Sequence, residues 1–347
     1  MKNPQSKTTT IAAIPLAMIV VLISRIGREE PPPTQVWEDE TNTGKTYNLA
    51  WWNPDGEIYN STINADNTSI ALNEVAVNGQ NITLAENGLY AYNAIINNSS
   101  SSVVEIGSMN YDYDQYVSDE QGRCFFPSIS PDGTYIACLY LGKVWTVNAK
   151  NGEMTFLDAE SLDAPGAPTA YNNVIVYPFM TGNQSNLRVV DRITGKILET
   201  LRADQQPAFN NSGSHYALLS RSYTRGEYSI DWYTSIGKRV KQSDKLMLGE
   251  SVRDASLVAV SDSGDYALLR ISDGSDYDTL QMVDIRNAQT WQVDSNSPSS
   301  IISADFSSDG QRIAWVRDGM VYVASEGLHG EAFYVANGVS VRWIEKS

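Results

Sequence analysis

The chain has 347 residues, 42% of them hydrophobic, and a formal net charge of −16 from 25 Lys and Arg against 41 Asp and Glu. That acidity argues against nucleic acid as a ligand, since phosphates need a basic surface, and reads first as colloidal solubility. Two cysteines and two histidines leave no room for a disulfide-rich scaffold, a cysteine-based zinc site or a histidine-rich metal centre.

At the amino terminus, Lys2 and Lys7 precede an apolar run from Ile11 to Ile23, and Arg25, Arg28, Glu29, Glu30 and Pro31-Pro32-Pro33 follow it. The run is short for a membrane span but close to the lower limit if its flanking residues snorkel. No small-x-small cleavage pattern follows it, and no cysteine stands there for lipidation. Residues 1–28 are therefore expected to form an uncleaved signal anchor, a single-pass transmembrane helix, with a cleaved signal peptide as the alternative. Positive charge is balanced on the two sides and does not set the orientation. Residues 29–45, polar and proline-rich, read as a stalk. Seven Asn-x-Ser/Thr sequons start at Asn60, Asn67, Asn81, Asn97, Asn98, Asn183 and Asn210. They fit an extracytoplasmic domain at residues 46–347.

Within that domain one phrase recurs. Ser130-Pro131-Asp132-Gly133-Thr134-Tyr135-Ile136-Ala137 returns as Ser261-Asp262-Ser263-Gly264-Asp265-Tyr266-Ala267-Leu268 and as Ser307-Ser308-Asp309-Gly310-Gln311-Arg312-Ile313-Ala314. Looser copies centre on Gly213 and Asn173, so the period is about 40 to 50 residues, the signature of propeller blades. Each copy predicts a first strand, the Asp-Gly turn, an apolar second strand (Tyr135–Tyr140, Tyr266–Ile271, Arg312–Val316), an alternating third strand and a fourth. The third strands are expected at Lys143–Asn148, Leu187–Asp191, Ser229–Tyr233, Leu280–Asp284 and Met320–Ala324. An earlier copy is expected over Ala71–Gly107, with Val77–Gln80 as its turn and Gly88–Tyr92 as its third strand. The chain ends on Gly338–Ile344, a lone first strand, and residues 46–72 offer its partners. The fold class is thus all-β: one propeller of four-stranded blades, seven of them if strands from both chain ends close the last, six in the alternative. Cys124 and Cys138 flank the Ser130–Gly133 turn on strands expected to pair, which leaves a disulfide and two buried thiols both open.

With these residues in view, the Ser-Pro-Asp-Gly-x-x-Ile-Ala phrase, its alternating strand and its Thr-Gly or Asn-Gly turn resemble the WD40-like repeat of TolB-type propellers over residues 70–338. The resemblance implies a propeller and, for most family members, a binding or assembly role. TolB carries an α/β domain before its propeller, and only about 45 residues precede the first expected strand here, so a Tol–Pal role is not among the expectations.

No Gly-x-Ser-x-Gly elbow and no phosphate-binding glycine loop occurs. His215 and His329 read as turn residues, and the aspartates of the Asp-Gly turns as local backbone caps. The acidic runs with Asp112 and Asp114, and with Asp273, Asp276 and Asp278, could offer calcium ligands but lack the twelve-residue loop spacing; solvated loops are the plainer reading, and no cofactor is expected. Connections between strands four and one, and between two and three, emerge on one face, and the long ones fall at 108–123, 178–187, 221–228 and 271–279. They hold Tyr111, Tyr113, Tyr116, Phe179, Arg221, Tyr223, Arg225, Asp276 and Tyr277, the residue types of a recognition surface. The expected function is non-catalytic binding of a protein or glycan partner on this face. The alternatives are a glycan hydrolase or lyase using carboxylates such as Asp114 and Asp276, and an envelope or surface-lattice protein.

Overall fold

The computed structural model describes residues 46–344, except 54, 64–68, 78, 97–98, 110–113, 117–123, 158–165, 203–206, 225, 275–277, 298–300 and 327–328. The expected anchor (1–28) and stalk (29–45) lie outside the described residues. Among those described, no helix is long and apolar enough to cross a membrane.

The chain opens with β1 (Tyr47–Trp52), β2 (Glu57–Ile63) and β3 (Ser69–Ala76), and the next six sheets follow in order. Blade 1 is β4 (Gly79–Leu84), β5 (Leu89–Ile96), β6 (Ser99–Ser108) and β7 (Asp114–Tyr116). Blade 2 is β8 (Phe125–Ile129), β9 (Tyr135–Tyr140), β10 (Lys143–Asn148) and β11 (Met154–Phe156). Blade 3 is β12 (Thr169–Ala170), β13 (Val174–Thr181), β14 (Gln184–Asp191) and β15 (Ile197–Arg202). Blade 4 is β16 (Ala208–Phe209), β17 (His215–Arg221), β18 (Glu227–Thr234) and a broken outer strand, β19 (Arg239–Gln242) with β20 (Leu246–Met247). Blade 5 is β21 (Asp254–Val260), β22 (Tyr266–Ser272), β23 (Asp278–Asp284) and β24 (Gln289–Ser297). Blade 6 is β25 (Ile301–Phe306), β26 (Ile313–Arg317), β27 (Met320–Glu326) and β28 (His329–Asn337). Finally β29 (Ser340–Ile344) pairs antiparallel with β1, placing Trp343 opposite Leu49 and Val341 opposite Trp51, and completes blade 7 from both chain ends. Seven blades, not six, close the ring.

The repeated phrase builds its turn by self-capping. Ser130 Oγ donates to Asp132 Oδ1 at 2.6 Å, and Asp132 Oδ1 accepts the Thr134 N–H at 3.0 Å. Ser307 and Asp309 do the same, with Gln311 N–H as donor. Gly133 sits at φ +68, a left-handed conformation that favours glycine, and a Cβ there would lie 2.2 Å from the end of the Asn87 side chain of the preceding blade.

The early copy is displaced by one strand from its expected register. Ala85-Glu86-Asn87-Gly88 is the true first turn, with Gly88 N–H bonded to Ala85 C=O at 3.1 Å as Gly133 N–H is to Ser130 C=O at 2.8 Å. Gly88–Tyr92 therefore leads into a second strand, not a third, and Val77–Gln80 joins blade 7 to blade 1. Asn87 takes the place of the aspartate, which hid the motif.

Seven clusters of buried apolar side chains occupy the seven interfaces between neighbouring blades. Along β26, Ile313 and Trp315 pack toward blade 5 while Ala314 and Val316 pack toward blade 7. Period-two alternation thus serves two cores at once, and a strand covered on both faces reads as continuously apolar.

Candidate functional site

The two faces of the ring differ. One, the turn face, carries the Asp-Gly turns and the three-to-four turns; the loop face carries the remaining connections. Several loop residues expected from sequence are relocated. Residues 178–187 are a hairpin whose connection is Gly182-Asn183 alone. Phe179 is a buried strand residue of β13, with the Arg188 guanidinium 4.4 Å from its ring centre, so it presents no loop surface. Residues 108–123 are no single loop, because Asp114 and Tyr116 belong to β7, the outer strand of blade 1. Arg221 ends β17 and is exposed, and Tyr223 beside it is wholly exposed. Tyr111, Tyr113, Arg225, Asp276 and Tyr277 lie outside the described residues, as does Asp112. Asp278 makes a 3.8 Å ion pair with Arg270, and no group of three acidic, histidine or cysteine side chains suited to a metal ion occurs among the described residues.

The histidines open strands rather than occupying turns. His215 Nδ1 is 2.8 Å from Ser214 Oγ and its ring stacks on Trp232, while His329 begins β28. Of the sequons, Asn210 is 3% exposed and its Oδ1 accepts the His215 N–H, whereas Asn183 is exposed on the loop face.

Three features of the loop face were not legible as a site. First, six large apolar side chains are exposed at the loop ends of three consecutive blades: Phe125, Phe126 and Leu141 on blade 2, Met180 on blade 3, Tyr223 and Met247 on blade 4. The other exposed large apolar residues among those described fall on the turn face (Ile193, Ile236) or on outer strands (Val240, Phe333, Tyr334). Second, the blade 2 edge is held rigidly. Cys124 and Cys138 are disulfide-bonded with Cα atoms 5.6 Å apart, joining the start of β8 to β9. Phe126 has φ +52, and its N–H donates to Oδ1 of buried Asn93, whose Nδ2 donates to the Cys124 carbonyl at 2.7 Å. Leu141 and Gly142 form a two-residue hairpin turn at φ +50 and +69, a conformation that asks for Asn or Asp at the first place.

Third, the outer strand of blade 4 is interrupted. Ser243 exchanges two bonds with Ile230, its N–H to the carbonyl at 2.8 Å and its Oγ from the N–H at 2.9 Å, while Leu246 pairs with Tyr228. Asp244 and Lys245 therefore both oppose Ser229, a two-against-one bulge. A cleft of about 520 Å³ opens at the interruption, lined by Ser220, Ser222, Tyr228, Ser229, Gln242 and Ser243. Arg221, Glu227, Asp244 and Lys245 also line it. Lys245 pairs with Glu227 at 2.8 Å, and this bond, with one from Ser222, holds the Glu227 carboxyl below the usual range.

At the turn-face end of the axis, the turns of blades 1 to 4 are each hydrogen-bonded to the turn of the next blade. Glu86 N–H donates to the Pro131 carbonyl, Asp132 N–H to Asn172 Oδ1, Asn172 N–H to the Asn211 carbonyl and Asn211 N–H to Asp262 Oδ1, at 2.8 to 3.2 Å. Arg342 of β29 lies 3.7 Å from Glu86 and 3.9 Å from Asp305, and donates to Asn211 Oδ1 at 3.3 Å. Asn211 Nδ2 donates to Glu86 as well, so blades 1, 4 and 7 are tied across the axis. Burial pushes the Asp305 carboxyl up to about 6, against the pull of Arg342 and the Trp343 N–H.

Comparison with known proteins gives fold and nothing finer. No family model matches the chain, and no curated protein does. Among solved structures, it is similar to an oligogalacturonate lyase in complex with manganese at TM-score 0.53 and 12% identity, over 85% of this chain and 86% of that one. A putative 6-phosphogluconolactonase from Bacteroides fragilis matches at TM-score 0.51 and 12% identity, over 88% and 100%. TolB from Acinetobacter baumannii matches at TM-score 0.46 and 14% identity, over 86% and 82%. Identities this low establish the propeller architecture and leave function to the site.

Proposed function

We propose that the protein is a non-catalytic binding module that docks a protein partner on the loop face of blades 2, 3 and 4. The observation that carries this reading is the concentration of exposed Phe125, Phe126, Leu141, Met180, Tyr223 and Met247 on one sector of one face. Aromatic and methionine side chains displayed on a rigid scaffold are what the buried centre of an interface is made of. The setting is a membrane-anchored propeller outside the cytoplasm, a reading that rests on the charge-flanked apolar run at residues 11–23. It is supported by the Cys124–Cys138 bond, which persists in oxidising compartments.

The alternative reading, a glycan hydrolase or lyase using carboxylates, has Asp114 on β7 of blade 1, and its second carboxylate, Asp276, lies outside the described residues.

The test is differential capture from the native membrane. A Phe126→Ser, Leu141→Asn, Met180→Ser triple variant is expected to lose a partner that both the wild type and an Ile193→Ser, Ile236→Ser control retain. Equal retention by all three proteins would remove the loop-face sector from consideration.

A further inference from the structure

We propose that the cleft at the interrupted outer strand of blade 4 is a binding site for a neutral oligosaccharide. It goes beyond protein docking and shares only Tyr223 with that surface. The cleft lies where the strand pairing is interrupted: two residues, Asp244 and Lys245, stand opposite one, Ser229, and the ladder is locally broken. Its volume, about 520 Å³, lies within the range of sites for small ligands.

The chemistry of the walls selects the ligand class. Arg221 and Lys245 are matched by Glu227 and Asp244, so the cleft carries no formal excess of either sign and offers an anion no net attraction. Lys245 is already engaged by Glu227 at 2.8 Å. What remains is hydrogen-bonding capacity. Gln242 uses one amide hydrogen on Ser229 Oγ at 3.4 Å, which leaves its carbonyl and second N–H for a ligand. Ser229 Oγ accepts in that bond and keeps its own proton to donate. The Arg221 side chain, exposed at the end of β17, adds guanidinium N–H donors. Tyr223, one residue from the lining Ser222 and wholly exposed, supplies an aromatic face for the apolar face of a pyranose ring. Polyol donors and acceptors, no net charge and an adjoining aromatic describe a neutral sugar better than a peptide or an acidic ligand.

Titration calorimetry of the full-length protein with maltotriose, cellotriose and chitotriose, with trigalacturonate as the acidic counter-probe, tests the assignment. At least one neutral trisaccharide is expected to bind, about tenfold or more weaker in Gln242→Ala and in Tyr223→Ala, with thermal unfolding of both variants unchanged. Deleting Asp244, which restores one-to-one pairing, is expected to abolish binding; if that variant misfolds, the two point variants carry the result. Binding of trigalacturonate alone, no binding of any neutral probe, or neutral binding untouched in both point variants would overturn the proposal. None of these outcomes touches capture through Phe126, Leu141 and Met180, so the two readings fail separately.

Discussion

Leu141 and Asp318 occupy the same place in equivalent hairpins, the first residue of a two-residue turn between strands two and three, at φ +50 and +56. Blade 6 uses Asp318-Gly319, as turn chemistry prefers, and blade 2 uses a leucine that is 72% exposed. A left-handed leucine costs on the order of 1–2 kcal/mol and, exposed, recovers little of it by burial. Leu141→Asn is expected to raise unfolding stability by about 1 kcal/mol while weakening partner capture. A denaturant titration showing lost stability would mean that the leucine is held for packing. Asp305 makes the second residue-scale prediction. Its folded pKa, about 6, lies above the unfolded carboxyl value, so its stabilising contribution is complete below the unfolded value and lost as pH rises through about 6. Asp305→Asn keeps an oxygen for the Trp343 N–H and should remove that part of the fall in melting temperature between about pH 4 and pH 6. An unchanged pH profile in the variant would assign the titration elsewhere. Neither residue stood out in sequence: a Leu-Gly pair announces nothing, and the axial role of Glu86, Asn211 and Asp262 depends on neighbours more than 40 residues away.

At the scale of elements, sequence was at its most legible where turn chemistry is strict. Lys143–Asn148 forms its strand residue for residue, and the other four third strands lie inside β14, β18, β23 and β27, because Asp-Gly and Thr-Gly turns punctuate period-two patterns. Legibility failed where the punctuation changed residue type, at Ala85–Gly88, and where a strand hid inside an acidic segment, at β7. The bulge of blade 4 was invisible, since Ser243-Asp244-Lys245 breaks no pattern until Ser243 is seen bonded twice to Ile230. The closing strand was legible as a leftover. Trp343, 4% exposed, packs edge-on against Tyr47 with centroids 5.9 Å apart, and its N–H reaches Asp305 Oδ2 at 2.9 Å. Trp343→Ala is expected to destabilise the ring by about 3–5 kcal/mol, read as an earlier midpoint in urea. A loss below about 1 kcal/mol would show that β29 does not hold blade 7 closed.

At the scale of the whole molecule, closure through blade 7 leaves every blade packed on two neighbours, and the ring presents two chemically distinct faces. The turn face is knitted by the axial hydrogen bonds and tied across by Arg342. The loop face gathers exposed apolar side chains on blades 2 to 4, braced by the Cys124–Cys138 bond, with the blade 4 cleft at one side. A scaffold that spends its regularity on one face and its irregularity on the other is arranged for recognition on the irregular one. Hydroxyl-radical footprinting of the protein with and without its captured partner tests this most directly. The account predicts protection of Phe125, Phe126, Leu141, Met180 and Tyr223, with Ile193 and Ile236 unchanged; protection of Ile193 and Ile236 with the loop-face residues still reactive would contradict it.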